Sequence, residues 1–300
     1  MESDPFVRLV DTLSVIENQD RILCLTAVYI GQKADKNTIQ GITDILSCLL
    51  GKEDEYTTTK TRGLITSLVN GGILEREREK VISSTRVSFH SISPLGYIVL
   101  AYVLVTYVLR EDPSSIAWDN AKFQDYADSE DKLVLFIINT LLVQIPSTKR
   151  ILTSLQSGKE PRRIKLTKPL SFPVYKIFSG KSGYNVFKLL EEVIWDHLQF
   201  NVGLSKTELS KNFSGPIGGY LNKLSTFFMT EENWGKNKRF KLSIRGVFLL
   251  PVFALLIKSL SVDKTIFQSL IITKLDENDN LWIRFTQLGH SFFKNVFRIS

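Results

Sequence analysis

The chain has 300 residues, 43% apolar and 23% charged, the balance of a globular protein with enough core for two or three domains. Its two cysteines, Cys24 and Cys48, exclude a disulfide framework and a thiolate zinc cluster, and suit a reducing cytoplasm. The net charge of +7 is unevenly held: residues 111–131 carry one basic against seven acidic side chains, and residues 132–188 carry eleven against one. A basic middle beside an acidic patch points to an anionic partner met by one face, nucleic acid ahead of an anionic membrane surface. No apolar run reaches the ~20 residues that a bilayer requires, so 95–109, 133–145 and 247–257 read as core or dimer helices. Residues 1–18 start acidic and lack the basic n-region of a signal peptide.

Taken in order, 4–15 places Asp4 and Pro5 ahead of Phe6, Leu9, Val10 and Leu13 at helical spacing. Residues 21–30 form a second apolar helix, which Gly31 is expected to end. Residues 38–50 form a third, with Ile42, Ile45, Leu46 and Leu49 inward. An acidic turn, Glu53-Asp54-Glu55, leads into 58–70, where Thr61, Leu64, Ile65, Leu68 and Val69 share one helical face. Asn70-Gly71-Gly72 ends this helix with residues that tolerate positive φ. Two strand-like runs, 73–80 and 85–89, meet around Ile82-Ser83-Ser84 as a hairpin. Ser93 and Pro94 then stand where an N-cap and a first helical residue belong. The helix they open, 97–109, is apolar nearly all round and must be covered, by a second copy of the chain or by a second domain.

Residues 110–131 read as an acidic linker or surface loop. A strong helix over 132–145 is expected to stop at Pro146, with another capped by Ser147 and ending near Gly158. Residues 159–183 are the most basic stretch, broken by Pro161, Pro169 and Pro173. They either track a phosphate backbone by charge alone or form a linker kept soluble by lysines. Residues 184–200 are amphipathic, and Ser205 with Glu208 matches a capping box. A helix over 215–228 buries Ile217, Tyr220, Leu221, Leu224, Phe227 and Phe228; a turn over 230–238 and a strand over 239–243 follow. Ser243-Ile244-Arg245-Gly246 opens another apolar helix, so the first order recurs down to its Ser-x-x-Gly. Residues 261–300 add a helix, a turn, a strand and a helix, either a truncated third module or a packing extension.

A helix, a glycine stop, a charged hairpin and a closing helix, in that order, resemble the winged-helix family over roughly 21–109 and 184–260. The resemblance implies a mostly α fold with small β-hairpins, an α+β class. It divides into winged helix-turn-helix domains at 1–110 and 184–260, a connector at 111–183 that is acidic then basic, and a C-terminal piece at 261–300. Two such units in one chain are similar to archaeal and archaeal mobile-element DNA-binding proteins. The layout also resembles the winged-helix initiators of archaeal replication origins, relatives of the eukaryotic licensing factor. The implied function is sequence-preferring binding of double-stranded DNA, as a transcriptional regulator or replication-origin binder. In the family the recognition helix enters the major groove and the wing lies beside a minor groove. Tandem winged-helix subunits that accompany chromosome-organising ATPases use the same fold to bind protein. The nearly neutral stretch 1–110 suits that alternative.

For DNA, the exposed side of 58–70 offers Thr59, Thr66, Ser67 and Asn70 for hydrogen bonds, with Lys60 and Arg62 for phosphates. The first hairpin adds Arg76, Arg78 and Arg86, either as an arginine face or as partners of Glu75, Glu77 and Glu79. The connector adds Arg162, Arg163 and Lys165. The second unit adds Asn222 and Lys223 on its helix and Lys236, Lys238, Arg239 and Lys241 on its hairpin. Homodimerisation is expected through 96–109 or 246–260. His90, His197 and His290 stand apart, and no phosphate-cradling loop, dinucleotide fingerprint or Cys/His cluster occurs. No catalytic, cofactor or metal site is therefore expected.

Overall fold

The computed structural model describes residues 11–50, 56–77, 80–82, 85–108, 130–159, 177–178, 181–200, 202–235, 237–243, 245–246, 249, 252 and 256. They are mostly helical, with small antiparallel sheets, an α+β arrangement. Two compact units emerge, one holding 12–108 with 130–159, the other 177 onward. The helices assigned above to a connector thus pack with the first unit. The third echo at 261–300, residues 110–129 of the expected acidic linker and most of the basic stretch lie outside the described residues, while Glu130 and Asp131 of that linker already belong to a helix.

In the first unit, α1 (Gln19–Lys33) starts at Asn18, whose side chain accepts the Asp20 N–H. Gly31 was expected to end this helix and does not. Instead the loop carbonyl of Lys36 folds back over it, 2.9 Å from where a Cβ would stand, so glycine permits a close approach within the helix. Every residue from Ile22 to Gly31 is buried, because α1 is the central helix. Around it pack α2 (Ile39–Leu50), α3 (Thr58–Asn70), α4 (Pro94–Val108) and α6 (Pro146–Gln156). Burial pushes the Cys24 thiol up to about 12, with the Asp20 carboxylate adding to the shift.

Helix α3 keeps the bounds its periodicity predicts. Thr57 caps it by accepting the Lys60 N–H, Thr61, Ile65 and Leu68 face inward, and Gly72 at φ 69 follows its end. The Thr43 hydroxyl donates to Thr61 Oγ1 at 2.9 Å, tying α2 to α3. The hairpin is longer and less regular than expected. β1 (Leu74–Arg76) pairs with β4 (His90–Ile92), and β2 (Lys80–Ile82) with β3 (Thr85–Val87). Three residues separate Arg76 from Lys80 but only two separate Val87 from His90, so the first arm carries one extra residue between the two ladders.

Helix α4 is covered within the unit, by α1 and by α5 (Glu130–Leu142). Each fully buried Leu or Val contributes about 1.5–3 kcal/mol, and Val99, Leu100, Val103 and Leu104 are all below 3% exposed. Contacts inside the chain therefore account for the apolarity that suggested a dimer here. The partner helix suggested at 246–260 lies mostly outside the described residues. The Tyr29 hydroxyl donates to Asn139 Oδ1 at 2.5 Å, joining α1 to α5. Pro146 starts α6 instead of merely stopping the preceding helix. The N-cap is Ile145, not Ser147, since proline suits a first helical position.

In the second unit, α7 (Gly183–Gln199) leads to β5 (Leu204–Ser205), α8 (Lys206–Ser210) and α9 (Gly218–Ser225). Asp196, buried on α7, accepts the Gly203 N–H at 2.7 Å and fixes the entry to β5. The predicted capping box forms: Ser205 accepts the Glu208 N–H, and the Glu208 carboxylate accepts the Ser205 N–H. Those bonds hold the Glu208 carboxyl below its ordinary range. Helix α9 is shorter than the 215–228 expected. The supposed turn 230–238 is instead most of a hairpin, β6 (Met229–Trp234) and β7 (Asn237–Leu242), with Gly235 at positive φ just after β6. Polar residues had disguised a solvent-facing strand. The sheet runs β5-β7-β6.

Candidate nucleic-acid interface

Both units share an order of helix, β-paired residue (an isolated bridge in the first unit, a short strand in the second), helix, helix, hairpin and helix start, and atom-level details recur. Ser93 N–H donates to Ile73 O at 3.1 Å, and Ser243 N–H donates to Phe228 O at 2.8 Å. Gly96 N–H donates to Ser93 Oγ at 2.9 Å, and Gly246 N–H to Ser243 Oγ at 3.0 Å. The Ser93 hydroxyl reaches the Gly72 carbonyl, the Ser243 hydroxyl that of Phe227. A Cβ on Gly96 would overlap Ile73 O, and one on Gly246 would overlap Phe228 O. The bridge Thr38 to Phe89 likewise answers the pair Ser205 to Arg239. These contacts fix each hairpin between the exposed helix before it and the helix after it.

On α3, Thr59, Lys60, Arg62, Thr66 and Asn70 are exposed and Ser67 is half-buried, so the proposed reading face does meet solvent. Lys60 is not free: its Nζ lies 3.2 Å from Asp20 Oδ2 and 4.1 Å from the centre of the Tyr56 ring. Arg62 makes no ion pair among the described residues. Arg76 is exposed and donates to Ser88 Oγ at 3.0 Å. Arg86 pairs with Val81 in the outer ladder. Arg78, Arg162, Arg163, Lys165 and Lys236 lie outside the described residues.

In the second unit Asn222 is exposed, while Lys223 is half-buried and donates to Ser182 Oγ at 3.1 Å. The hairpin cations already have partners. Lys238 pairs with Glu231 at 2.5 Å, and Lys241 with Glu232 at 2.9 Å. Arg239 donates to the Gly203 carbonyl at 2.6 Å and stacks 5.2 Å from the centre of the Trp234 ring. Exposed pairs such as that of Lys238 are worth only about 0–1 kcal/mol, so a phosphate can exchange for the Glu231 carboxylate; Lys241 is half-buried. Sequence reasoning missed Trp234, 57% exposed at the hairpin tip. The signal available was a tryptophan directly before the turn glycine of a charged strand.

His90 is buried on β4 of the first hairpin, with neither ring nitrogen hydrogen-bonded among the described residues. Burial first, and the Arg76 guanidinium second, hold its pKa below the ordinary histidine value. Among the described residues no His, Cys, Asp and Glu cluster could hold a metal. No described helix is long and apolar enough to cross a membrane. Neither models of known protein families, nor curated proteins, nor solved structures give any match to the chain.

Proposed function

We propose that both units are winged-helix domains and that the chain binds double-stranded DNA with sequence preference, as a transcriptional regulator or replication-origin binder. The observation carrying this reading is the outward face of α3, where Thr59, Arg62, Thr66 and Asn70 are exposed while Thr61, Ile65 and Leu68 anchor the helix. Hydroxyl and amide groups of this kind bond base edges, and Arg62 neutralises a phosphate. The repeated hairpin-and-cap geometry supports placing α9 in the same role. A partly basic hairpin beside each helix supports backbone contact.

A second reading, docking onto a protein in a larger complex, is favoured by a different observation. Lys60, Lys238 and Lys241 are each held by a carboxylate of the chain itself. Fluorescence anisotropy of the full chain on a random-sequence duplex at 50 and 200 mM salt separates the two readings. A DNA binder neutralising six or more phosphates loses about a thousandfold in affinity between those salts. A protein-docking module shows no measurable duplex affinity at either.

A further inference from the structure

Glycine is the costliest residue after proline inside a helix, so each helical glycine needs a reason. Most glycines here have an internal one. Gly31, Gly41, Gly71, Gly96 and Gly246 lie against a neighbouring group where a Cβ would crowd. Gly72, Gly158, Gly203 and Gly235 have positive φ, from 62 to 83, which disfavours any side chain. Among the glycines with described surroundings, four remain: Gly63, Gly215, Gly218 and Gly219. A Cβ at Gly63, Gly215 or Gly219 would meet nothing within 4 Å, and one at Gly218 would touch only the end of Lys206 at 4.0 Å. None has positive φ. All four sit on α3 or on α9 and its approach.

They also coincide between the units. The buried positions of α3 and of the α9 segment match residue for residue (61 to 217, 65 to 221, 68 to 224), a constant step of 156. The same step carries Gly63 to Gly219, both exposed, and Thr66 to exposed Asn222. Neither folding nor packing asks for glycine at this place, yet both units have it, one turn before a hydrogen-bonding side chain.

We infer that Gly63 and Gly219 are the points at which each helix backbone comes closest to duplex DNA, where a methyl group would hold the helix off the groove. The absent Cβ lets the helix sit deep enough for Thr66 and Asn222 to reach base edges. Arg62 stands beside Gly63 to meet a phosphate, whereas the α9 segment presents a nearly bare surface over 215–219. This inference rests on the DNA-binding reading and assigns its contact points.

The test is Gly63→Ala, Gly219→Ala and the double variant, each melted by circular dichroism and titrated by anisotropy against one random-sequence duplex at 50 mM salt. Alanine favours an exposed helix, so Gly63→Ala is expected to raise the melting temperature by about 2–4 °C. Gly219→Ala, in the first turn, should shift it less. Each single change is expected to weaken duplex binding about tenfold, and the double change more. Stabilised variants that bind as tightly as the parent would overturn the inference while leaving DNA binding intact. A parent chain with no duplex affinity would overturn both. Variants that lose binding and stability together would also count against it, because the loss would then be structural.

Discussion

The two units place the same local frame in different surroundings. In the first, α1 is buried along ten consecutive residues, because α2, α3, α4 and α6 enclose it. Its counterpart α7 keeps Tyr184, Lys188 and Trp195 exposed along one side. The hairpins differ in the opposite sense. The first is joined to the residue before α2 only by the single bridge of Thr38 to Phe89, whereas the second has a continuous three-stranded sheet. What stays constant is the joint: a serine cap, a crowded glycine three residues on, and a helix with its polar side outward. What recurs is thus the local bonding at the start of the helix after each hairpin, while the packing behind it varies.

Substitutions at the joint give the largest effects. Gly96→Ala forces a methyl group into Ile73 O and Ile92, and is expected to cost about 3 kcal/mol in a denaturant melt. Gly246→Ala is expected to destabilise the second unit comparably, through Phe228 O. A large loss at one site and none at the other would break the equivalence of the joints.

A middling effect is expected at the second hairpin. Glu231→Gln with Glu232→Gln releases Lys238 and Lys241 from these pairs. Duplex affinity at 50 mM salt should rise severalfold, with a salt slope steeper by up to about two phosphate contacts. Unchanged affinity would show that this hairpin stays off the backbone and would leave α9 as the second unit's only proposed contact.

The smallest expected effect is a pH slope belonging to the first unit only. His90 is buried neutral, so its folded pKa lies below the unfolded value of about 6.5. A depressed folded pKa means that the unfolded chain binds more protons. Stability is then fully present above pH 6.5 and declines as pH falls toward the folded pKa. Melting temperature should therefore drop between pH 7.5 and pH 5.5, and His90→Phe should flatten part of that slope. An identical slope in the variant would remove His90 as its source.

Much of the frame was legible in the sequence because apolar periodicity and caps are local signals. The bounds of α3 follow from Thr57, Asn70 and Gly71, and the capping box at Ser205 follows from Glu208 alone. What was missed depends on contacts distant in sequence. Gly31 resembles a helix stop until the returning loop of Lys36 is in place. The strand at 229–234 looked like a turn because its outward residues are polar and its stabilising partners lie across the hairpin. The cover over α4 comes from α5, beyond an acidic stretch that carries no sign of it. Of the candidate site, the exposure of Thr59, Arg62, Thr66, Asn70 and Asn222 was readable from period, whereas Ser67 and Lys223 are half-buried. The carboxylates that occupy Lys60, Lys238 and Lys241 were not readable, since side-chain pairing is set by geometry.

The outward faces of α3 and α9 can be probed directly by cysteine labelling. Both native cysteines are buried, Cys24 fully and Cys48 to within 9% exposure, so their background reaction with a maleimide is slow. Thr66→Cys and Asn222→Cys place single reactive thiols on the two faces, and their labelling rates are compared with and without saturating duplex DNA. At least tenfold protection at both positions is the predicted result. Unchanged rates at both, with the duplex demonstrably bound, would contradict the claim that these helices meet DNA.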